Sequence, residues 1–165
     1  MGCTARDNES SALLADPDHA HSCIAQKGAS RQRRHDALKL ALAGLARSCG
    51  CHVEVEPTFP LLPHDRHSGL LARTAEPDGR RGDLLLVRNN TRQLIDVTVV
   101  RPTAPTQLRS SSTTGAHLQP LAAASDAERL KHRKYDAECA RHGWKMVPFA
   151  LETYGAKGTE ARQLL

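Results

Sequence analysis

Two short apolar runs on either side of an asparagine pair restrict the possible folds of this chain more than any other feature. Leu84–Val87 and Leu94–Val100 have the length and aliphatic character of buried strands, and Pro102 ends the second. Asn89 and Asn90 lie between them, and asparagine tolerates the positive φ values that a tight hairpin turn requires. The pattern therefore predicts an antiparallel hairpin.

The flanking segments predict the rest of the fold from their apolar period and their stop signals. They are a helix from Arg34 to the Cys49-Gly50 stop, a strand Cys51–Glu56, a helix Asp126–Arg141, a strand Lys145–Leu151 and a last helix from Thr159. Ser125 and Glu128 have the spacing of a capping box, and Pro148 indicates an edge strand or a bend. We expect an α/β fold with a central mixed sheet flanked by helices. Residues 1–33 form a separate polar segment before a domain of residues 34–165, with a mobile loop at 103–124.

Charge and composition favour a polyanionic partner. The formal net charge is +5, aromatic residues are 3% of the chain, and no run approaches the roughly 20 apolar residues that span a bilayer. The basic residues that would contact nucleic acid are Arg31, Arg33, Arg34, Arg129 and Arg133. A solvated, arginine-rich surface remains the alternative. Five cysteines without a secretion signal indicate reduced thiols and an intracellular protein, with the nucleus left open.

An acidic pair lies on the predicted hairpin. Asp83 opens its first strand and Asp96 lies within the second, and counting from the turn places them at nearly the same height. Two carboxylates arranged in this way can share one hard cation. A charge within an apolar strand is costly without a partner or a metal, unless Asp96 faces solvent while Ile95 and Val97 face the core.

The order of elements, with acids on the hairpin, resembles the PD-(D/E)xK nuclease core. The closer resemblance is to the restriction-like endonuclease domain of site-specific non-LTR retrotransposon proteins, and it covers about residues 18–160. Its motifs here are Arg34-His35-Asp36, Arg81-Gly82-Asp83, Asp96-Val97-Thr98, the helix containing Lys131 to Tyr135, and Leu151-Glu152-Thr153-Tyr154-Gly155. The resemblance implies a restriction-endonuclease-like fold and Mg²⁺ (or Mn²⁺) at Asp83 and Asp96, with Glu56 as a further ligand candidate ahead of Glu54 and Asp36.

Two positions depart from the family's pattern. Gly82 stands where a proline is usual, and both residues shape the start of the strand. Thr98 stands where the superfamily has its catalytic lysine, which orients the attacking water and stabilises developing phosphate charge. We expect the helix to supply a substitute, Lys134 first and Lys131 second, because both lie one turn apart on the helix that would pack beside the hairpin. That helix presents Ala127, Leu130, Lys134 and Ala137 near one face. Tyr135 is a candidate donor to a phosphate. The alternative is an exposed basic face that binds the DNA backbone without chemistry.

A second constellation lies near the start of the chain. The family has a zinc-knuckle-like set of Cys and His before the nuclease core, and Cys3, His19 and Cys23 are the candidates here. A structural Zn²⁺ requires four ligands, so His21 or His35 would have to complete the set, and a broken or absent site is the safer interpretation.

The sequence thus predicts a metal-dependent DNA endonuclease domain. RNA remains open as a partner. The alternatives are a catalytically silent nucleic-acid-binding module or a degenerate fragment of the same fold. The incomplete knuckle and the short last helix favour truncation from a retrotransposon-type polyprotein.

Overall fold

A computed structural model describes residues 29–59, 81–108 and 119–165 of the chain. The elements in chain order are α1 (Ala29–Ser48), β1 (His52–Val55), β2 (Leu84–Arg88), β3 (Thr91–Val100), α2 (Pro105–Leu108), α3 (Ala122–Arg141), β4 (Lys145–Glu152) and α4 (Thr159–Leu164). None of the helices in these ranges is long and apolar enough to cross a membrane.

The strands form one four-stranded sheet in the order β1-β2-β3-β4. The pairs β1/β2 and β2/β3 are antiparallel, whereas β3 and β4 are parallel and are connected through α3. A parallel neighbour requires such a crossover, because a short turn can join only antiparallel strands. The expectation of an α/β fold with a mixed sheet and flanking helices is confirmed.

The hairpin turn is the one that the asparagine pair predicts. Asn89 and Asn90 have φ values of 48° and 62°, and Arg88 pairs with Thr91 across the turn. Two successive positive φ values match the right-handed twist of the strands that leave a two-residue turn. Strands β2 and β3 therefore meet in a single register, which sets which of their residues lie opposite each other.

Both long helices end at a glycine in the left-handed region. At the end of α1, Gly50 has φ 79°, Cys51 N donates to Ala46 O at 3.0 Å, and Gly50 N donates to Arg47 O at 2.9 Å. Gly143 (φ 64°) ends α3 with the same pair of bonds. This double bond pattern satisfies carbonyls that the helix leaves without partners, and glycine adopts the left-handed conformation without a steric penalty. The predicted stop at Cys49-Gly50 is confirmed, and α3 ends at Arg141 as predicted.

Helices cover both faces of the sheet. One face carries Ile95 and Val97 of β3 and packs against apolar side chains of α1 and α4. The other face carries Leu94 and packs against Tyr135 and Cys139 of α3. Successive strand residues point to opposite faces, so a central strand covered on both sides is apolar throughout. Asp96 interrupts that pattern on the α3 side.

The start of α3 differs from the sequence-based expectation. The helix begins at Ala122, with Leu121 at the N-cap, and Ser125 N donates to Leu121 O inside the first turn. The predicted capping box of Ser125 and Glu128 is therefore wrong. Glu128 is buried and accepts a hydrogen bond from Glu160 N at 3.0 Å, so it caps α4 instead.

Several predicted boundaries fall inside elements. Helix α1 begins at Ala29 and so runs across the proposed division between residues 33 and 34. The segment 103–124 contains α2 and the first residues of α3. Strand β4 lies at an edge of the sheet, and its Pro148, opposite Asp96, lies on the edge strand that the proline indicated.

Candidate metal and nuclease site

The hairpin places the two aspartates at the end of the β2/β3 ladder. Its last pair joins Leu84, which follows Asp83, to Ile95, which precedes Asp96. Asp83 N donates to Ile95 O at 3.0 Å, so the backbone partner of Asp83 is Ile95 rather than Asp96. The equal height of the two aspartates stays a prediction from the sequence.

Asp83 lies half-buried just before β2. Its Oδ2 accepts a hydrogen bond from Val97 N at 2.6 Å and lies 3.1 Å from His35 Nε2. Burial raises the pKa of Asp83 above its ordinary value, and the negative charge of Asp96 raises it further, while the Val97 and His35 contacts oppose the rise. The influence of Asp96 on this pKa indicates that the two carboxylates share one electrostatic environment.

Asp96 is buried beneath α3, with 5% of the residue exposed. Its Oδ2 lies 2.5 Å from Lys131 Nζ, and the two side chains are 7% and 24% exposed. The alternative in which Asp96 points to solvent does not hold, because α3 covers the face opposite Ile95 and Val97. A carboxylate in such a position requires a cation, and here the helix provides it.

Lys131 contacts Asp96 because of the rotation of α3 on the sheet. Ala127 and Tyr135 are buried, and Lys131 lies four residues from each of them on the same side of the helix. Lys134 is exposed, and its Nζ lies 4.6 Å from the centre of the Tyr135 ring. Leu130, expected on the apolar face, is 55% exposed. The structure therefore brings the second of the two nominated lysines to Asp96.

The contacts of Tyr135 give it a structural role. It is 1% exposed, and its hydroxyl donates to Arg81 O at 2.9 Å, which ties α3 to the segment before Asp83. Gly82, in the same segment, is buried against Leu94, whose side chain occupies the space that a Cβ at position 82 would need. The glycine at position 82 therefore has a packing reason in this chain.

Glu56 follows β1 with φ 53°, and its backbone N donates to Asp83 O at 2.8 Å. Its carboxylate pairs with Lys39 at 2.7 Å and with Arg81 at 3.5 Å. The contact with Lys39 holds the pKa of Glu56 below its ordinary value. As a candidate metal ligand, Glu56 thus lies beside Asp83 through its backbone, while its side chain is held by two cations.

His35 is the site residue that the sequence reasoning did not assign to the acidic pair. Its ring lies between two carboxylates, with Nε2 at 3.1 Å from Asp83 Oδ2 and Nδ1 at 3.3 Å from Asp36 Oδ1. The sequence did contain a signal for His35. The Arg34-His35-Asp36 motif is one of the motifs that carry the resemblance to a nuclease family.

The other predicted residues are distributed as follows. Arg31, Arg33 and Arg133 are exposed, Arg34 is half-buried, and Arg129 is exposed and pairs with Asp126 at 2.8 Å. The zinc candidates Cys3, His19 and Cys23, together with His21, lie outside the described residues. Across residues 29–59, 81–108 and 119–165, no three His, Cys, Asp or Glu side chains group as a metal site.

The donors at the acidic pair nevertheless fit Mg²⁺ chemistry. Mg²⁺ is commonly held by one or two carboxylates and keeps several of its waters. Asp83 and Asp96 provide two such carboxylates at the end of the β2/β3 ladder, and the pKa of Asp83 is raised by burial first and also by repulsion from the charge of Asp96. A divalent cation would relieve this repulsion.

Comparison with known proteins gives one informative similarity. No family model matches the chain. The chain is 28% identical over 149 residues to the Retrotransposable element SLACS 132 kDa protein of Trypanosoma brucei gambiense. The alignment covers 89% of this chain and 11% of that protein. The chain therefore resembles one small part of a retrotransposable element protein.

Proposed function

We propose that this chain is a metal-dependent DNA endonuclease domain with a restriction-endonuclease-like core, derived from a retrotransposon-type polyprotein. The observation that carries the proposal is the ion pair between Asp96 Oδ2 and Lys131 Nζ at 2.5 Å, beside Asp83. It brings a lysine from α3 to one of the two carboxylates at the end of the β2/β3 ladder, and such chemistry requires groups of these kinds. The similarity to a retrotransposable element protein supports the proposed origin.

Asp83 and Asp96 are the residues that would hold Mg²⁺ or Mn²⁺. When bound, the cation supplies Lewis-acid polarisation of the phosphate oxygens. Lys131 replaces the lysine that Thr98 cannot provide. Its ammonium is a flexible point charge on a four-carbon stem, so it can move from Asp96 Oδ2 towards the attacking water and the developing phosphate charge.

The basic residues supply the DNA contacts in this proposal. Arg133 is exposed on α3, the helix that also carries Lys131. Arg31 and Arg33 are exposed near the start of α1, the helix that carries His35. Arginines on these two helices suit a duplex whose backbone crosses the site. Each contact between an arginine and a phosphate adds to the salt dependence of binding.

A supercoiled-plasmid nicking assay with Mg²⁺ or Mn²⁺, against EDTA, tests the activity. Asp96→Ala is expected to abolish metal-dependent nicking and to leave DNA affinity unchanged or slightly raised, because it removes a negative charge. Lys131→Ala is expected to slow nicking strongly. Lys134→Ala is the matched comparison, since it removes a lysine from the same helix but not from Asp96, and we expect it to lose at most one phosphate contact.

A silent nucleic-acid-binding module is the second candidate. The observation that favours it is the same short ion pair, since Lys131 gives Asp96 a counter-charge within the fold. Salt-dependent DNA binding without nicking under either metal would support this alternative and contradict the endonuclease proposal. Equal losses of binding and nicking in Lys131→Ala would mean that this lysine only grips DNA.

A further inference from the structure

His35 bridges two carboxylates at the edge of the candidate site. It lies on α1, and its side chain is 25% exposed. Nε2 is 3.1 Å from Asp83 Oδ2, and Nδ1 is 3.3 Å from Asp36 Oδ1. A ring held at both nitrogens has a defined orientation, because each contact restricts its rotation.

The two contacts that Asp83 accepts through its side chain converge on one oxygen. Val97 N donates to Oδ2 at 2.6 Å, and His35 Nε2 lies 3.1 Å from the same Oδ2. Within the described residues, this leaves Oδ1 as the carboxylate oxygen without a hydrogen-bond donor. A carboxylate anchored in this way through Oδ2 presents Oδ1 to an incoming cation in a fixed direction.

The second carboxylate is itself anchored. Asp36 Oδ1 accepts from Gln32 Nε2 at 2.9 Å and lies 3.2 Å from Lys39 Nζ. The Lys39 side chain is 7% exposed and also pairs with Glu56 at 2.7 Å. The ring of His35 is thus supported by a chain of contacts that leads from α1 to the end of β1.

We infer that His35 is a positioning residue for the metal site, which orients Asp83 by holding Oδ2 while Asp36 holds the opposite side of the imidazole. The inference rests on the proposed function, because it assumes that Asp83 is a ligand of the cation. Outer partners of this kind fix the orientation of ligands, and their loss commonly weakens metal affinity about 10- to 100-fold.

The inference is tested by measuring Mn²⁺ binding to the full chain in the absence of DNA. Calorimetry or the EPR signal of free Mn²⁺ reports the binding. His35→Ala is expected to weaken Mn²⁺ affinity about 10- to 100-fold. His35→Gln retains an N–H donor and is expected to recover part of that loss. In the nicking assay, His35→Ala should raise the Mn²⁺ concentration needed for half-maximal rate more than it lowers the rate at saturating Mn²⁺.

His132→Ala is the matched control. The His132 ring also bridges two carboxylates, Asp136 at 2.8 Å and Glu160 at 2.6 Å, but it joins α3 to α4 rather than to the acidic pair. We expect this variant to lose stability and to bind Mn²⁺ like the unmutated chain.

The outcomes separate the two proposals. An unmutated chain that binds no Mn²⁺ overturns the proposed metal site and this inference with it. Mn²⁺ binding that is equal in the unmutated chain and in His35→Gln and His35→Ala overturns only the role of His35. A loss in His132→Ala as large as that in His35→Ala also overturns it, since general destabilisation would then explain both. If His35→Ala does not fold, Asp36→Ala takes its place, with a smaller loss expected.

Discussion

Asp96 lies in an environment where a negative charge is costly in free energy. It lies in β3 between Ile95 and Val97, is 5% exposed, and is opposed by a single ammonium from α3. Removing one partner of a buried pair leaves an uncompensated charge, which destabilises more than removing both. The same feature makes the pair suitable for a site, because an incoming divalent cation can take over the neutralising role of the lysine.

Lys131→Met is therefore expected to lower the free energy of unfolding by about 2–3 kcal/mol, below the roughly 3–5 kcal/mol for fully buried pairs because Lys131 is partly exposed. Asp96→Asn together with Lys131→Met should recover much of the loss. Urea denaturation of the metal-free chain measures both, with Lys134→Met as a control that changes stability by about 0.5 kcal/mol or less. A Lys131→Met variant as stable as the control would show that Asp96 does not depend on this lysine.

At the scale of elements, two residues of α3 help to attach α4 to the body of the fold. Glu128 accepts from Glu160 N at 3.0 Å and so caps α4, whose N-cap residue Gly158 provides no side-chain cap. His132 contacts Glu160 at 2.6 Å and Asp136 at 2.8 Å. A helix of six residues is too short to be stable alone, so these contacts and the burial of Ala161 hold it in place.

The His132 contacts predict a pH-dependent stability. Burial opposes protonation of the ring, but the hydrogen bonds to Asp136 and Glu160 outweigh it and raise the pKa of His132 above its ordinary value. A raised pKa in the folded chain means that the stabilisation is complete below the unfolded-state pKa of about 6.5 and is lost as pH rises through the folded-state pKa.

Thermal unfolding of the unmutated chain and of His132→Gln, from pH 5 to pH 9, measures this dependence. The stability difference between the two is expected to be largest at the acidic end and to shrink above neutral pH. A difference that stays constant across the range would show that the contacts do not depend on protonation.

At the scale of the whole molecule, the two helices that carry the basic clusters lie on opposite faces of the sheet, and each contacts one residue of the acidic pair. The chain has a formal net charge of +5, and helices α1 and α3 reach Asp83 and Asp96 from opposite faces of the sheet. Arg133 is exposed on α3, whereas Arg88 is exposed at the hairpin turn, at the other end of β2 from Asp83. If DNA crosses the acidic pair, these two arginines must contribute differently.

DNA affinity of the metal-free chain, measured across a series of salt concentrations, tests this difference. Arg133→Ala is expected to reduce the slope of log affinity against log salt by about 1, the effect of one lost phosphate contact. Arg88→Ala, which removes the same charge from the hairpin turn, should leave the slope nearly unchanged. Equal effects would indicate diffuse attraction to the net charge rather than a defined DNA path.

The features that the sequence by itself determined are those decided within a few residues. Asn89 and Asn90 specify the hairpin turn and its register, so they also bring Asp83 and Asp96 to the same end of the hairpin. Gly50 and Gly143 end their helices because a residue with positive φ at that point closes the last turn. Such backbone preferences act locally, and for that reason they can be predicted without knowledge of the remaining chain.

Only the tertiary structure decided which side chains meet. The rotation of α3 on the sheet brings Lys131 rather than Lys134 to Asp96, and it turns Glu128 from an expected cap of its own helix into the cap of α4. His35 reaches Asp83 across 48 positions of sequence. These contacts depend on how whole helix faces pack against the sheet. A rotation of the helix by one residue position would change the partner of every side chain on it. The pattern within a single segment does not contain that information.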